Sequence, residues 1–203
     1  MFPLGTVLFP YALLPLHVFE PRYRVMTGQV MRGDREFGVV LIERGSEVGG
    51  GDTRFHVGTI ARIVHAQQLP TGGYALATVG LRRIRVERWL PDDPFPRAVV
   101  AYLEDDPGRE AADGDALAAR ERAVGALEDV FALHRRADAR VPEPPPVAPE
   151  AARASFEIAA LAPIGPLDAQ RVLETVHVSG RLALLAELLE EHARVLRAGG
   201  AGP

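Results

Sequence analysis

Six histidines, three serines, one run of acids and one run of arginines are the groups of this 203-residue chain that could do chemistry. His17, His56, His65, His134, His177 and His192 fall into no H-E-x-x-H pattern and no cluster with metal-ligand spacing. His17 has the strand phase opposite to Leu16 and Val18, and His65 lies at a strand end, so both are expected to be structural. Ser46, Ser155 and Ser179 lack the G-x-S-x-G elbow of a nucleophilic serine. Ser46 reads as a loop residue and Ser179 as a helix cap. Glu104, Asp105 and Asp106 could in principle hold calcium or magnesium. In a strand, however, neighbouring side chains point to opposite faces, so three consecutive acids cannot converge on one ion. A solvated strand end is expected. Gly49, Gly50 and Gly51 could cradle a phosphate, but no helix or lysine follows, and a hairpin tip is the simpler reading.

Arg82, Arg83, Arg85 and Arg88, next to Trp89, give the best nucleic-acid signal, because cations and an aromatic can hold a single strand. Yet Ile84 and Val86 share one face while Arg83, Arg85 and Glu87 share the other, which is the alternation of an ordinary half-buried strand. RNA binding through Arg82–Trp89 is therefore the alternative reading, not the first.

Composition removes whole classes of mechanism. There is no cysteine, hence no disulfide, thiolate metal site or cysteine nucleophile. All 23 basic residues are arginine. Without lysine there is no Walker A lysine, no Schiff base and no Ser-Lys dyad. No catalytic, cofactor-binding or metal site is expected. No apolar run approaches the roughly 20 residues of a membrane helix. Nothing at the N-terminus reads as a signal peptide, so a cytoplasmic protein with no membrane partner is expected. Residues 1–100 hold 12 Arg and 9 acids, a balance of +3, whereas 101–203 hold 11 Arg and 18 acids, a balance of −7. Two regions of different character follow, neither basic enough to imply nucleic acid from charge alone.

The pattern agrees with that division. Strands are predicted at Thr6–Phe9, Leu13–Phe19, Phe37–Ile42, His56–His65, Tyr74–Thr78, Arg83–Trp89 and Ala98–Leu103, separated by Gly, Pro and Asp turn signals. One helix, Pro21–Arg32, interrupts them. Helices are predicted again at about Asp115–Ala137, Pro149–Leu161, Pro166–Glu174 and Ser179–Arg197. Leu117, Val124, Leu127, Phe131 and His134 mark the face of the first of these, and Leu182, Leu185, Leu189 and Leu196 that of the last. Val141–Val147, with four prolines, is a stiff connector within 141–149. The fold class is α+β: a β-rich unit over 1–107, a helical unit over 108–198 and a disordered tail at 199–203.

The most specific stretch runs from Leu14 to Met26. Leu14, Leu16 and Val18 alternate as a half-buried strand, Pro21 suits the first turn of a helix, and Tyr23, Met26 and Val30 form its apolar face. Glu20 falls beside the positive helix N-terminus. This junction, preceded by Pro3–Pro10 and followed by Phe37–Leu41, Val57–Ala61, Thr78–Arg83, Ala169–Thr175 and Arg181-Leu182, resembles the Lon N-terminal (substrate-binding) domain family across nearly the whole chain. The resemblance implies a PUA-like, partly open β-barrel followed by a helical bundle. It also implies a non-catalytic module that holds unfolded or partner polypeptides, without the ATPase and protease domains of Lon. The matching motif residues Pro15, Leu16, Phe19, Glu20, Arg22, Tyr23, Gly38 and Gly80 each have a structural explanation, such as close backbone approach at the two glycines. Arg22 is expected to pair with Glu20 or to cap a sheet edge.

For client binding, the contact residues are expected to be Phe9, Tyr11 and Trp89, with arginines steering acidic parts of the client and the client adding as a strand at a sheet edge. The apolar run Phe9–Leu13 is otherwise read as core at Phe9 and Leu13, with Tyr11 at the barrel rim. Self-association into a homo-oligomer is compatible with this reading.

Overall fold

The computed structural model describes residues 1–45, 51, 53–70, 72–106 and 112–199. Ser46, Gly49, Gly50 and Pro107-Gly108 lie outside the described residues, as does the tail beyond Gly199. Two compact units separate between Glu104 and Asp105.

The first unit is a six-stranded mixed sheet with one helix. Its elements are β1 (Phe2–Leu4), β2 (Leu13–Val18), α1 (Pro21–Val30), β3 (Glu36–Arg44), β4 (Thr53–Gln68), β5 (Tyr74–Leu90) and β6 (Arg97–Tyr102). The strand order is β1-β3-β4-β5-β2, with β6 also pairing with β5. The sheet is open: its path ends at β1 on one side and β2 on the other. β1 lies parallel to β3, and the other pairings are antiparallel. Phe2, Leu16, Val18, Tyr23, Met26 and Phe37 lead the apolar core on its inner face.

Three predicted strands need correction. Thr6–Phe9 forms no strand; the first strand is Phe2–Leu4. Leu8 and Phe9 are both buried, so the segment does not alternate, and the Thr59 hydroxyl donates to the Leu8 carbonyl where a strand partner would otherwise stand. The predicted Tyr74–Thr78 and Arg83–Trp89 are halves of one long strand, β5. Gly80, within β5, lies beside a register shift against β4 and lets the strand bend without ending. β4 and β5 are joined as a hairpin whose last pair is Gln68 with Tyr74, and the Leu69 amide donates to the Gly73 carbonyl at 2.9 Å.

The second unit is helical over its described elements: α2 (Ala112–Ala137), α3 (Ala151–Leu161), α4 (Pro166–Glu174) and α5 (Val178–Gly199). α2 packs along α5, and α3 touches both. α5 begins one residue before Ser179, so Ser179 is inside the helix and is not its cap; Gly199 closes the same helix and does not begin a tail. The buried face of α2 is rotated from the predicted one. Leu117 is exposed, and Ala116, Ala123, Ala126, Leu127 and Val130 face inward. Small side chains let helices approach closely, and a reading keyed to large residues misses them. In the connector, Val141, Pro144 and Val147 are half-buried at a spacing of three, the period of polyproline II. Arg120 anchors its end, donating to the Ala148 carbonyl at 2.8 Å.

One corrected residue organises this unit. Asp105 is not a solvated strand end: its carboxylate takes two hydrogen bonds from Arg181, at 2.7 and 3.2 Å. Arg181 is completely buried and also donates to Ser155 Oγ and the Thr175 carbonyl, with its guanidinium 4.1 Å above the Phe156 ring centre.

Between α2 and α5, the rings of His134 and His192 meet edge to face at 5.5 Å, and His192 Nε2 is buried without a hydrogen-bond partner. Burial, and secondarily His134, lowers the His192 pKa below its ordinary 6.5. A lowered folded-state pKa means the unfolded chain binds the proton more readily. This contribution to stability is complete above pH 6.5 and drains away as pH falls through 6.5 toward the lower folded value. The urea midpoint of the wild type should therefore drop more than that of His192→Gln between about pH 7.5 and about pH 5.5. Equal drops would show that the ring pair carries no linkage.

Candidate functional site

The strand-to-helix junction that stands out in the sequence is built by β2 and α1. Pro21 occupies the first turn of α1, and Glu20 is the extended residue before it. The Glu20 carbonyl starts the helix by accepting from the Tyr23 and Arg24 amides. Its carboxylate is taken up by Arg22 Nε at 3.1 Å, and both side chains are largely covered. Arg22 also lies over the ring of buried Tyr23, which meets Phe2 edge-on at 4.2 Å. Gly38 adjoins the Met1 thioether, where a Cβ would lie 2.4 Å from the sulfur. Leu16, Glu20, Arg22, Tyr23 and Gly38 thus sit in the frame of the unit.

β2 itself has two faces. Leu14, Leu16 and Val18 turn toward the core. The odd-numbered residues turn to solvent: Leu13 is 75% exposed, Pro15 and His17 are exposed, and Tyr11 and Phe19, just outside the strand, are 50% and 66% exposed. Four of these five are apolar or aromatic, on the side where water should favour polar residues. Leu13 therefore corrects the expectation that it is core. Phe9 is corrected in the other direction, since it is 4% exposed and offers no surface to a partner.

Tyr11 is held outward by its backbone. Its φ is +67°, in the left-handed region that non-glycine residues seldom occupy. The turn is pinned on Gly80, whose carbonyl accepts from the Tyr11 amide at 2.7 Å and whose amide donates to the Ala12 carbonyl at 2.9 Å. A Cβ on Gly80 would stand 2.1 Å from the Phe9 carbonyl oxygen, so only glycine permits this docking.

Cross-strand register extends the exposed surface. Leu13, Pro15 and His17 face Val79, Ala77 and Ala75 on β5, which face Arg62, His65 and Gln67 on β4. The middle row is small and half-buried; the outer rows are exposed. On the opposite side of β2, a pocket of about 150 Å³ opens between the unpaired strands β1 and β2, lined by Phe2, Leu4, Leu16, Val18, Phe19 and Tyr23. His17 and His65, read as structural, are both at the surface.

The arginine strand is used otherwise. Arg83 is buried, against the alternation read in the sequence, and donates to the Glu104 carbonyl. Arg54 lies over the half-buried Trp89 at 4.9 Å, and Arg82 over Tyr102 at 4.2 Å. Among the described residues, no three His, Asp or Glu side chains gather where they could hold a metal ion, and no helix is long and apolar enough to cross a membrane.

The family model described as the ATP-dependent protease La (LON) substrate-binding domain matches residues 1–191. The chain belongs to this family. It is 29% identical to Lon protease 2 of Myxococcus xanthus over 201 residues, covering 95% of this chain and 23% of that protein. It is 36% identical over 102 residues to a Lon protease of Cytophaga hutchinsonii, covering 50% of this chain and 12% of that protein. The chain thus spans less than a quarter of the length of these curated relatives. Among solved structures, it is similar to the Lon N-terminal domain protein from Xanthomonas campestris, with a TM-score of 0.62 and 26% identity over 92% of this chain and 95% of that one. The N-terminal domain of Mycobacterium avium complex Lon protease, at 19% identity and a TM-score of 0.60 over 93% and 95%, shares the fold. Every match to Lon named here is to its substrate-binding N-terminal part, not to its catalytic parts.

Proposed function

We propose that this Lon-type domain is a non-catalytic polypeptide-binding module that captures apolar stretches of unfolded or partner chains on the exposed face of β2. The observation that carries the proposal is the run of outward residues Tyr11, Leu13, Pro15 and Phe19 on a strand whose other face is core. A contiguous exposed apolar patch of this kind marks a site of interaction with another polypeptide or ligand. The family match gives the occupant its class, and the 203 residues hold no lysine from which a Walker A site or Ser-Lys dyad could be assembled. A cytoplasmic setting belongs to the same proposal.

At the β2 edge, contact through side chains is proposed in place of strand addition. Pro15 sits in the middle of β2 and has no N–H to offer along that edge. Recognition through the side chains of the β2 face fits better. Trp89, already stacked by Arg54, leaves the contact set with Phe9, and Tyr11 stays in it, joined by Leu13 and Phe19.

The test uses reduced, carboxymethylated α-lactalbumin as a permanently unfolded client. Each large apolar side chain buried on binding is worth about 1.5–3 kcal/mol. Leu13→Ser with Phe19→Ser should weaken binding by about tenfold or more, with unchanged unfolding of the domain. Unchanged affinity would overturn the proposal. A single-stranded RNA titrated over a series of salt concentrations addresses the alternative. Binding that falls steeply with salt and depends on Arg85 and Arg88 would move the assignment to nucleic acid.

A further inference from the structure

The face beside β2 has a shape that says what kind of segment rests on it. Val79, Ala77 and Ala75 form a floor of small, half-buried residues one strand wide. Exposed residues of β2 rise on one side and those of β4 on the other. The walls are two inter-strand spacings apart, about 9.5 Å between backbones, so a helix of about 10–12 Å diameter lies along the trough with only its lower side chains between them.

Hydrogen bonding separates a helix from an extended chain here. β5 is paired along this stretch with β2 on one side and β4 on the other, so its backbone offers nothing to a guest. An extended segment lying on the floor would have its own N–H and C=O groups facing apolar side chains. A helix satisfies those groups internally and buries only side chains. The walls also differ in charge. The β2 wall carries Leu13 and Pro15. The β4 wall carries Arg62, Val64, His65 and Gln67, and the Arg62 side chain, ion-paired to Glu36, is half exposed while that of Glu36 is mostly covered. The cation is the outward member of that pair.

We infer that the trough between β2 and β4 seats one amphipathic helix of the client, apolar toward Leu13 and acidic toward Arg62. The inference rests on the proposed polypeptide-binding role and adds the conformation and charge pattern of the segment bound.

Three peptides of about 18 residues, five helical turns, provide the test. The first carries leucines at helical spacing with glutamates along one flank. The second differs only by two central prolines, and the third only by lysine for glutamate. Each is titrated into the full ¹⁵N-labelled chain, following the amides of Ala75, Ala77 and Val79. The first peptide should shift those amides and bind about tenfold tighter than the proline form. The lysine form should be weaker at about 0.05 M salt, and the difference should shrink at about 0.5 M. Ala77→Phe, which fills the floor from the solvent side, should remove binding; Trp89 fluorescence verifies that this variant folds, and Leu13→Ser serves as a second probe of the wall. Equal binding of the proline peptide, or binding that leaves the three floor amides unmoved, overturns the helical seat while the wider role stands. If neither these peptides nor the unfolded client binds, the polypeptide-binding role falls and the helical seat with it.

Discussion

Asp105→Ala should destabilise the helical unit by about 3–5 kcal/mol, because it strands a buried positive charge. Arg181 is fully covered, and the Asp105 carboxylate supplies two of its hydrogen bonds. Its remaining partners, Ser155 Oγ and the Thr175 carbonyl, are neutral. Among the described residues, Asp105 brings the one negative charge to this contact, with 28% of its side chain exposed. Removing the acid leaves the guanidinium desolvated without compensation. The converse change is milder: Arg181→Met removes the charge that needs compensating and keeps most of the volume. The double change Asp105→Ala with Arg181→Met should therefore be more stable than Asp105→Ala alone, a reversal that simple loss of contacts would not produce. Far-UV circular dichroism during urea unfolding follows the helices, and Trp89, the one tryptophan, follows the sheet. The expected result is a lower helical midpoint with little change in the tryptophan signal. An unchanged helical midpoint in Asp105→Ala would show that the buried guanidinium does not depend on this carboxylate.

The second large effect is expected at Gly80. Gly80→Ala places a methyl group 2.1 Å from the Phe9 carbonyl oxygen and 2.9 Å from its carbon. The obstacle is backbone, not the movable end of a side chain, so the Phe9–Ala12 turn must lift off β5. Overpacking of this kind costs about 1–3 kcal/mol and can exceed that. Lifting the turn also breaks the two hydrogen bonds that hold Tyr11 in its left-handed conformation. Gly80→Ala should thus lower the tryptophan-detected midpoint and weaken client binding together, whereas Tyr11→Ser should affect binding alone. A Gly80→Ala protein with wild-type stability would mean the turn relaxes without strain.

Much of this was legible from residue order. The period-two run Leu14–Val18, followed by proline and a period-three-to-four run, fixes β2 and α1, because both periodicities are strong and the proline marks the boundary between them. The tyrosine, glutamate and arginine of the motif then find the structural roles their chemistry suggests. What escaped had physical reasons. β1 is three residues long, contains proline and is buried throughout, so it shows no alternation. The inward face of α2 is written in alanines, which carry little hydropathy signal. Nothing local in the sequence pairs Arg181 with Asp105, 76 positions away, so its burial is not legible there. The exposed face of β2 is half visible in the sequence: Tyr11 reads as a rim residue, but Leu13 reads as interior because hydrophobicity alone does not tell which side of a strand is wet.

Pro15 has a consequence for the behaviour of many copies together. An apolar strand exposed at the margin of an open sheet is the arrangement from which fibrils and intermolecular zippers start. A ring that removes the amide hydrogen halfway along that strand interrupts the zipper for any second copy approaching edge-on. The same residue thus works against edge-to-edge assembly while the outward side chains stay in water.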